Sequence, residues 1–371
     1  MMDQPVRILC TFSTLDRGGA ESMCMNIYRH IDQSRVQFDF VKHTSKKGAF
    51  EDEITALGGQ IFEAPRYRMI NRCAYVKWWK KHLIAHPEHQ IIHGHFFTIS
   101  AVYFKAAKKL GRTTVGHSHC TPSDKKDLKN WLSNRLIGKI DALSDARLAC
   151  SIPAGEWVYK EHPFQVLNNA IESERFEFDS DAREEVRKKF GLRDDFVVGA
   201  VGRIMHQKNP EGIVEIFRQV LLRKPNARLM WIGDGPMRTE AEAKLKEYGI
   251  ADRVLMMGVR SDVNRLMQAM DTFIFPSFYE GLGVVAIEAQ AAGLPCYISD
   301  VVPHEVKITD LCRFLPLGKP AQWADAICLP QPERRSTREE IIRAGYDIQT
   351  TAKWLCNFYE KLLQERAESN Q

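Results

Sequence analysis

Two carboxylates, Glu280 and Glu288, stand eight positions apart around the glycine-opened segment Gly281-Leu282-Gly283. The apolar run Thr272-Phe273-Ile274-Phe275 before them reads as a buried strand ending at Pro276, and residues 284–292 read as a helix ending at Gly293-Leu294-Pro295. The glycines therefore fall at a strand-to-helix turn. There the first helical N–H groups have no internal partners and the helix dipole is positive, which favours a phosphate. A carboxylate beside a phosphate needs a different partner. Once ionised it only accepts hydrogen bonds, so the hydroxyl groups of a sugar suit it. Glu288 lies about two turns into the helix, too far along to cap it, and Glu280 lies just before the helix.

A second loop of the same kind follows the apolar run 196–201. It carries two cations, Arg203 and Lys208, and Asn209-Pro210 reads as the N-cap and first residue of the next helix. Arg203 and Lys208 thus lie at a positive helix end, where a diphosphate would be held: Arg offers planar bidentate contacts and Lys a mobile point charge. Two solvated surface cations are the plain alternative, and the second phosphate-competent turn at Gly281 and Gly283 weighs against it. Gly233-Asp234-Gly235-Pro236 marks a further tight turn, with Pro236 at a helix start. Near the N-terminus, Gly18-Gly19 after the first strand lets backbone approach a ligand closely.

Four histidines, His93, His95, His117 and His119, sit at or near strand ends. The H-x-H spacing puts both side chains on one strand face, as a Zn²⁺ site would require. Such a site needs four ligands, and Cys120 is the one further donor nearby in sequence, so no metal is expected. His117 is instead the candidate to reach a ligand hydroxyl or leaving oxygen, with the other three as satisfied polar groups. Two patterns compete with these assignments. Gly281 to Ala286 matches G-x-G-x-x-G/A with Asp300 near the place of a ribose-binding acid, which suggests a dinucleotide-dependent oxidoreductase. Against it, Glu280 would face the pyrophosphate and the motif falls late in its domain. Asp179-Ser180-Asp181 is a D-x-D, but it follows no strand and reads as solvated charge.

The elements that must position these groups alternate throughout. Candidate strands at 6–11, 38–42, 60–63, 90–93, 113–116 and 146–150 are separated by helical patterns such as 21–30 and 75–86. A second series runs through 196–201, 227–232, 254–257, 272–275 and 295–299. This alternation predicts an α/β chain of two doubly wound, Rossmann-like domains facing across a cleft at the carboxyl ends of their strands. The charged stretch 163–181 separates the series. The expected domains are 1–165 and 166–346, with a last helix in 347–371 that could pack back on the first domain.

With 371 residues the chain exceeds one ordinary core. No apolar run is long enough to cross a bilayer, and the first apolar run is too short for a signal peptide, so a cytoplasmic location is expected. Nine cysteines without a C-x-x-C pair fit reduced, mostly buried thiols. Residues 1–165 carry 24 Lys+Arg against 16 Asp+Glu, a net +8, whereas the remainder carries 28 against 31, or −3. The basic clusters are Lys77-Trp78-Trp79-Lys80-Lys81, then Lys105 with Lys108, Lys109 and Arg112, then Lys125, Lys126 and Lys129. They read as solvated helix faces or, more sharply, as contact with an anionic membrane through Trp78 or Trp79. No nucleic-acid motif accompanies them.

Gly18-Gly19-Ala20-Glu21, the Gly202-Arg203 to Lys208-Asn209 loop, Gly233-Asp234-Gly235-Pro236, Pro276-Ser277 and the Glu280/Glu288 pair, in this order over nearly the whole chain, resemble the retaining glycosyltransferases of family 4, which have the GT-B fold. The surrounding text is similar to enzymes that assemble bacterial capsule or exopolysaccharide. The resemblance implies that Arg203 and Lys208 grip the donor diphosphate, Glu288 the ribose hydroxyls, and Glu280 with the amides of Gly281, Leu282 and Gly283 the transferred sugar. Gly18 and Gly19 would close over the phosphates, and His117 would touch the donor sugar or the acceptor. The family's Asn-Gly-(Ile/Val)-Asp appears here as Asn169-Ala170-Ile171-Glu172, so the linker turn is expected to differ.

The implied activity is transfer of a hexose or N-acetylhexosamine, with retention, from a UDP-linked donor to a lipid-linked saccharide. No cofactor is implied, and the enzyme would sit in the cytoplasm or peripherally at the inner membrane face. A sugar-nucleotide epimerase of similar fold is the alternative, ahead of an NAD(P)-dependent oxidoreductase.

Overall fold

The structure, a computed structural model, describes residues 4–95, 97–119 and 139–369. Cys120 and the cluster Lys125, Lys126 and Lys129 lie outside the described residues. The chain forms two compact units: one runs to Ala170 and takes in everything from Ile348 onward, the other is Ile171–Asp347.

In the first unit seven strands, β1 (Val6–Phe12), β2 (Val36–Lys42), β3 (Ile61–Glu63), β4 (His89–Gly94), β5 (Thr113–Ser118), β6 (Ala146–Ala149) and β7 (Gln165–Val166), form one sheet of order β3-β2-β1-β4-β5-β6-β7. Every pairing is parallel. Such a sheet must be covered on both faces, and β2 is buried at every position. The alternation of side chains along β1 shows the two layers. Ile8, Cys10 and Phe12 pack with Phe38, Phe40 and the helices Gly19–His30 and Ile348–Ser369. Leu9 packs on the other face with Tyr75, Trp79, Leu83 and Phe104. The C-terminal helix is held because Ile348, Ala352, Leu355, Cys356 and Tyr359 form one apolar stripe at helical spacing.

The same periodicity corrects one expectation. Tyr75, Trp79 and Leu83 are the inward stripe of helix Arg72–Ala85, so Trp79 is fully buried, stacked on Tyr103 at 4.6 Å, and is not available to a membrane. Trp78 is half-buried with its ring on His82.

The second unit repeats the plan with β8 (Phe196–Val201), β9 (Ala227–Ile232), β10 (Val254–Gly258), β11 (Thr272–Phe275), β12 (Cys296–Ser299) and β13 (Cys312–Leu315), ordered β10-β9-β8-β11-β12-β13 and again parallel. Val197, Met230, Phe273 and Phe275 face one layer, whereas Val198, Leu229, Trp231 and Ile274 face the other. Each sheet is built outward from its first strand in both directions. The order therefore reverses between β1 and β4 and between β8 and β11, and doubly wound sheets bind ligands at the carboxyl ends of those two strands. Strands β7 and β13 have no counterpart among the sequence-predicted strands.

Candidate active site

The two loops singled out in the second half follow β8 and β11, the pair flanking the reversal, and they are tied together. Phe278 N–H donates to the Gln207 carbonyl at 2.9 Å, and Gln207 Nε2 donates to the Tyr279 carbonyl at 3.0 Å. Asn209, held left-handed at φ 53°, accepts from Gly212 N–H through its side chain and so caps helix Pro210–Arg223. Its amide nitrogen donates to the Pro276 carbonyl at 3.0 Å. A residue that caps one loop's helix while gripping the other loop fixes both.

On this frame Lys208 Nζ stands 2.7 Å from Glu280 Oε1 and 4.6 Å from the centre of the Phe275 ring. Gln207 Nε2 approaches the other Glu280 oxygen at 3.3 Å. Arg203 is exposed and has no ion-pair partner among the described residues. Among the described residues, this loop pair thus offers Arg203 unpaired and Lys208 shared with a carboxylate. Gly233 and Gly235 serve packing rather than ligand approach. A Cβ on either would stand 2.0 or 2.2 Å from the carbonyl oxygen of Gly202 or Ile204. Pro236 lies in the turn before its helix, which starts at Arg238.

Gly283 takes φ +85° as the N-cap of helix Val284–Ala291, and a Cβ there would meet the Phe275 ring at 2.9 Å. Gly281 has open space at the same distance range. Leu282 packs its side chain against the unit's apolar core, leaving its backbone as the part that can serve a ligand. Glu288 is half-buried on the helix. Burial pushes its carboxyl up to about 7, opposed by the Arg175 cation and reinforced by Glu172. Gln290 anchors the helix that carries Glu288. Its amide donates to the carbonyls of Ala286 and Val306, and its oxygen accepts from the N–H groups of Ile308 and Thr309. Sequence reasoning missed Gln290 because its partners lie up to 19 residues away in the chain.

In the first unit Gly18, in extended conformation, precedes helix Gly19–His30 at the carboxyl end of β1, and nothing lies within 4 Å of a Cβ built on Gly19. His93 lies near the end of β4 and His95 just past it, beside β1. His117 does not reach a surface. Strand β5 runs on to Ser118, so His117 is inside the ladder opposite Leu148 and fully buried. Both its ring nitrogens lack partners among the described residues, and it borders a space of about 10 Å³ with Leu355 and Tyr359 of the C-terminal helix, room for about one water.

The half-buried members of the cluster are His95 and His119, joined by a 2.9 Å Nδ1···Nε2 hydrogen bond. Burial drives all four imidazoles neutral, His93 down to about 3 and His119 to about 4. Neutral rings can ligate as well as hydrogen-bond. Cys10 with His93 and His95, and His95 with His117 and His119, each bring three ligand atoms within 4.8 Å. Cys10, on β1, is a neighbour that sequence spacing could not show. The D-x-D has a structural explanation: Asp179 accepts from the N–H groups of Asp181 and Ala182 and caps helix Ser180–Lys189.

Two doubly wound sheets in one chain, with paired loops at the reversal of the second, are the architecture of the GT-B fold. The crystal structure of Anabaena Alr3699/HepE in complex with UDP superposes with a TM-score of 0.68 over 99% of both chains at 18% identity, a likeness of fold. The description Glycosyltransferase Family 4 matches residues 17–175, and Glycosyl transferases group 1 matches residues 182–327. EpsF of Bacillus subtilis (strain 168), designated a glycosyltransferase, is 32% identical over 95% of this chain and 96% of its own length. The UDP-Gal:alpha-D-GlcNAc-diphosphoundecaprenol alpha-1,3-galactosyltransferase of Escherichia coli is 30% identical over 140 residues, 37% of this chain and 36% of that protein. The chain belongs to glycosyltransferase family 4. The dinucleotide reading falls with this, and its G-x-G follows β11 rather than the first strand of its sheet.

Proposed function

We propose that this glycosyltransferase moves a hexose or N-acetylhexosamine from a UDP-linked donor to a lipid-linked saccharide, with retention of anomeric configuration, in exopolysaccharide or capsule assembly. The observation that carries the reading is the Lys208–Glu280 pair between the loops after β8 and β11, with Arg203 exposed in the first of these loops and in no ion pair among the described residues. Arg203 and Lys208 hold the donor diphosphate, helped by the amides of Gly281, Leu282 and Gly283 at the helix start. Glu280 accepts from the hydroxyls of the sugar that moves, and Glu288 from those of the ribose that stays.

In the first unit the open backbone of Gly19, next to Gly18 against the Glu21 carboxylate, serves phosphate. The His95–His119 pair serves a substrate hydroxyl, and His117 packs behind it with ring centres 4.0 Å from His119. The acceptor is drawn by the name of the galactosyltransferase relative, which specifies a diphosphoundecaprenol-linked sugar. No helix among the described residues is long and apolar enough to cross a membrane, and the enzyme meets its lipid-linked acceptor by peripheral contact at the inner, anionic face.

In the transfer, the bond from the anomeric carbon to the diphosphate oxygen breaks as the acceptor hydroxyl attacks from the same face. The new bond runs from that carbon to the acceptor oxygen, and the acceptor proton passes to the departing diphosphate. Positioning and electrostatic support of the leaving group supply the rate. A panel of nucleotide sugars scored for slow donor hydrolysis tests base, sugar and class together. Release of UDP from one UDP-sugar is expected; isomerised donor without released UDP would sink the transferase reaction proposed here. The anomeric configuration of the product, read by NMR, tests retention.

A further inference from the structure

Residues 64–87 contain no acidic side chain but six Lys and Arg: Arg66, Arg68, Arg72, Lys77, Lys80 and Lys81. None of the six is in an ion pair among the described residues, and all are exposed. Several cations elsewhere in this unit are neutralised: Lys42 pairs with Glu51, Lys47 with Asp52, Lys108 with Asp145 and Arg147 with Asp141. On helix Arg72–Ala85 the residues Tyr75, Trp79 and Leu83 point inward, so Lys77, Lys80 and Lys81 share the outward face. The short turn Met69–Asn71 before this helix sets two neighbouring apolar side chains into solvent, Met69 at 77% and Ile70 at 90% of full exposure. Single exposed apolar residues are common. An adjacent pair at a turn, with three arginines within four residues in the sequence, is the pattern of an interaction site.

We infer that this turn and helix face are a docking surface for an anionic lipid bilayer, with Met69 and Ile70 entering the headgroup and acyl boundary and the six cations lying on the lipid phosphates. Charge complementarity selects the partner class, and the apolar tip selects a bilayer over an acidic protein. The topology gives the surface a use. In a parallel sheet every strand-to-helix turn lies at the carboxyl edge. The turn after β3 therefore shares an edge with Gly18 and Gly19 after β1 and with His95 after β4. A membrane bound there meets the edge at which a lipid-borne acceptor is handled. This surface deepens the proposed lipid-linked acceptor and rests on it only for its purpose.

Flotation of the full chain with vesicles tests it. Vesicles containing a large fraction of phosphatidylglycerol should carry the protein, and pure phosphatidylcholine vesicles should not, with binding that weakens as salt rises. Replacing Lys77, Lys80 and Lys81 together by Ala should lower the partition coefficient on the order of a hundredfold, about fivefold for each cation lost. Met69→Ser with Ile70→Ser should lower it by at least about tenfold while leaving the salt dependence in place. Donor hydrolysis with soluble components serves as the fold control and is expected unchanged in both variants. Equal vesicle binding by wild type and variants, equal binding to neutral lipid, or binding to an acidic protein in place of vesicles would overturn the surface. Each of these outcomes leaves the transferase reading standing, because hydrolysis needs no membrane.

Discussion

Lys208 Nζ lies 2.7 Å from Glu280 Oε1, and the two side chains come from loops after different strands, β8 and β11. In this state each group satisfies the other. In the donor site proposed above, a diphosphate arriving at Lys208 would compete with Glu280 for the ammonium and release one carboxylate oxygen to accept from a sugar hydroxyl. The pair would then couple donor arrival to exposure of the group that orients the sugar.

From this coupling the two partners should separate by assay. Lys208→Met should weaken UDP binding by about tenfold or more, the loss of a charge-assisted contact to phosphate. Glu280→Gln should leave UDP affinity equal or slightly better, because Lys208 no longer has a competing anion, while cutting kcat by a factor on the order of 10²–10³. Calorimetric titration with UDP and steady-state transfer rates measure both. Parallel losses of affinity in the two variants would remove the division of roles. Arg203→Ala should weaken UDP binding without touching the fold, since the side chain is exposed; unchanged affinity would count against the β8 loop as the diphosphate site.

The pH behaviour of Glu288 follows from its carboxyl lying at about 7, pushed up by burial. An unfolded glutamate titrates at about 4.3, so between the two values the folded protein holds a proton that the unfolded chain has lost. The cost to stability is absent below that window, grows as pH rises through it, and is complete above pH 7. Glu288→Gln should therefore raise stability at pH 8 by roughly 1–2 kcal/mol, discounted for partial exposure, and leave it unchanged at pH 4. In the proposed ribose contact the ionised form is the stronger acceptor. UDP affinity of the wild type should fall as pH drops below 7 relative to Glu288→Gln, a comparison that cancels the titration of UDP itself. Thermal melts and UDP titrations at pH 5.5 to 8 check the two halves.

Glycines 281 and 283 should respond differently. Gly283→Ala places a side chain at φ +85° and 2.9 Å from the Phe275 ring, which should cost about 1–3 kcal/mol of stability and shift the helix start. Gly281→Ala meets nothing within 4 Å and should melt within about 0.5 kcal/mol of wild type. A loss of UDP affinity in Gly281→Ala at unchanged stability would mark that turn as touching the donor. Equal melting of both variants would remove the structural account of Gly283.

Local patterns carried much of this architecture in plain view. Apolar runs such as Thr272–Phe275 and Phe196–Val201 coincide with β11 and β8, because strands buried on both faces show as continuous hydrophobic stretches. Strand β7 is two exposed residues and β13 is interrupted by Arg313, so neither stands out from its surroundings. What local text hides is who meets whom. Trp79 sat among lysines and read as an interfacial residue, yet its spacing from Tyr75 and Leu83 buries it. His117 read as reaching outward because β5 was expected to end at 116, and two further paired residues put it inside the sheet. Lys208 and Glu280 are 72 residues apart, and their pairing is a product of sheet order.

Gln290 offers a test of how the fold supports Glu288 from behind. Its side chain is fully buried and every polar atom is used: Nε2 donates to Ala286 and Val306 carbonyls at 3.0 and 2.8 Å, and Oε1 accepts from Ile308 N–H, Thr309 N–H and Thr309 Oγ1. These bonds pin helix Val284–Ala291 to the segment before β13. Gln290→Leu keeps the volume and strands the N–H groups of Ile308 and Thr309 without acceptors, which should cost about 2–4 kcal/mol. Gln290→Glu keeps acceptors but loses both donations, and should cost a comparable amount above pH 7 and less in acid, where the protonated acid donates one bond again. Because the helix carries Glu288, UDP affinity should fall with stability in both variants, whereas a surface change such as Glu247→Gln should move neither. Chemical denaturation with parallel UDP titration gives the correlation, and a full-affinity Gln290→Leu protein would separate the anchor from the site.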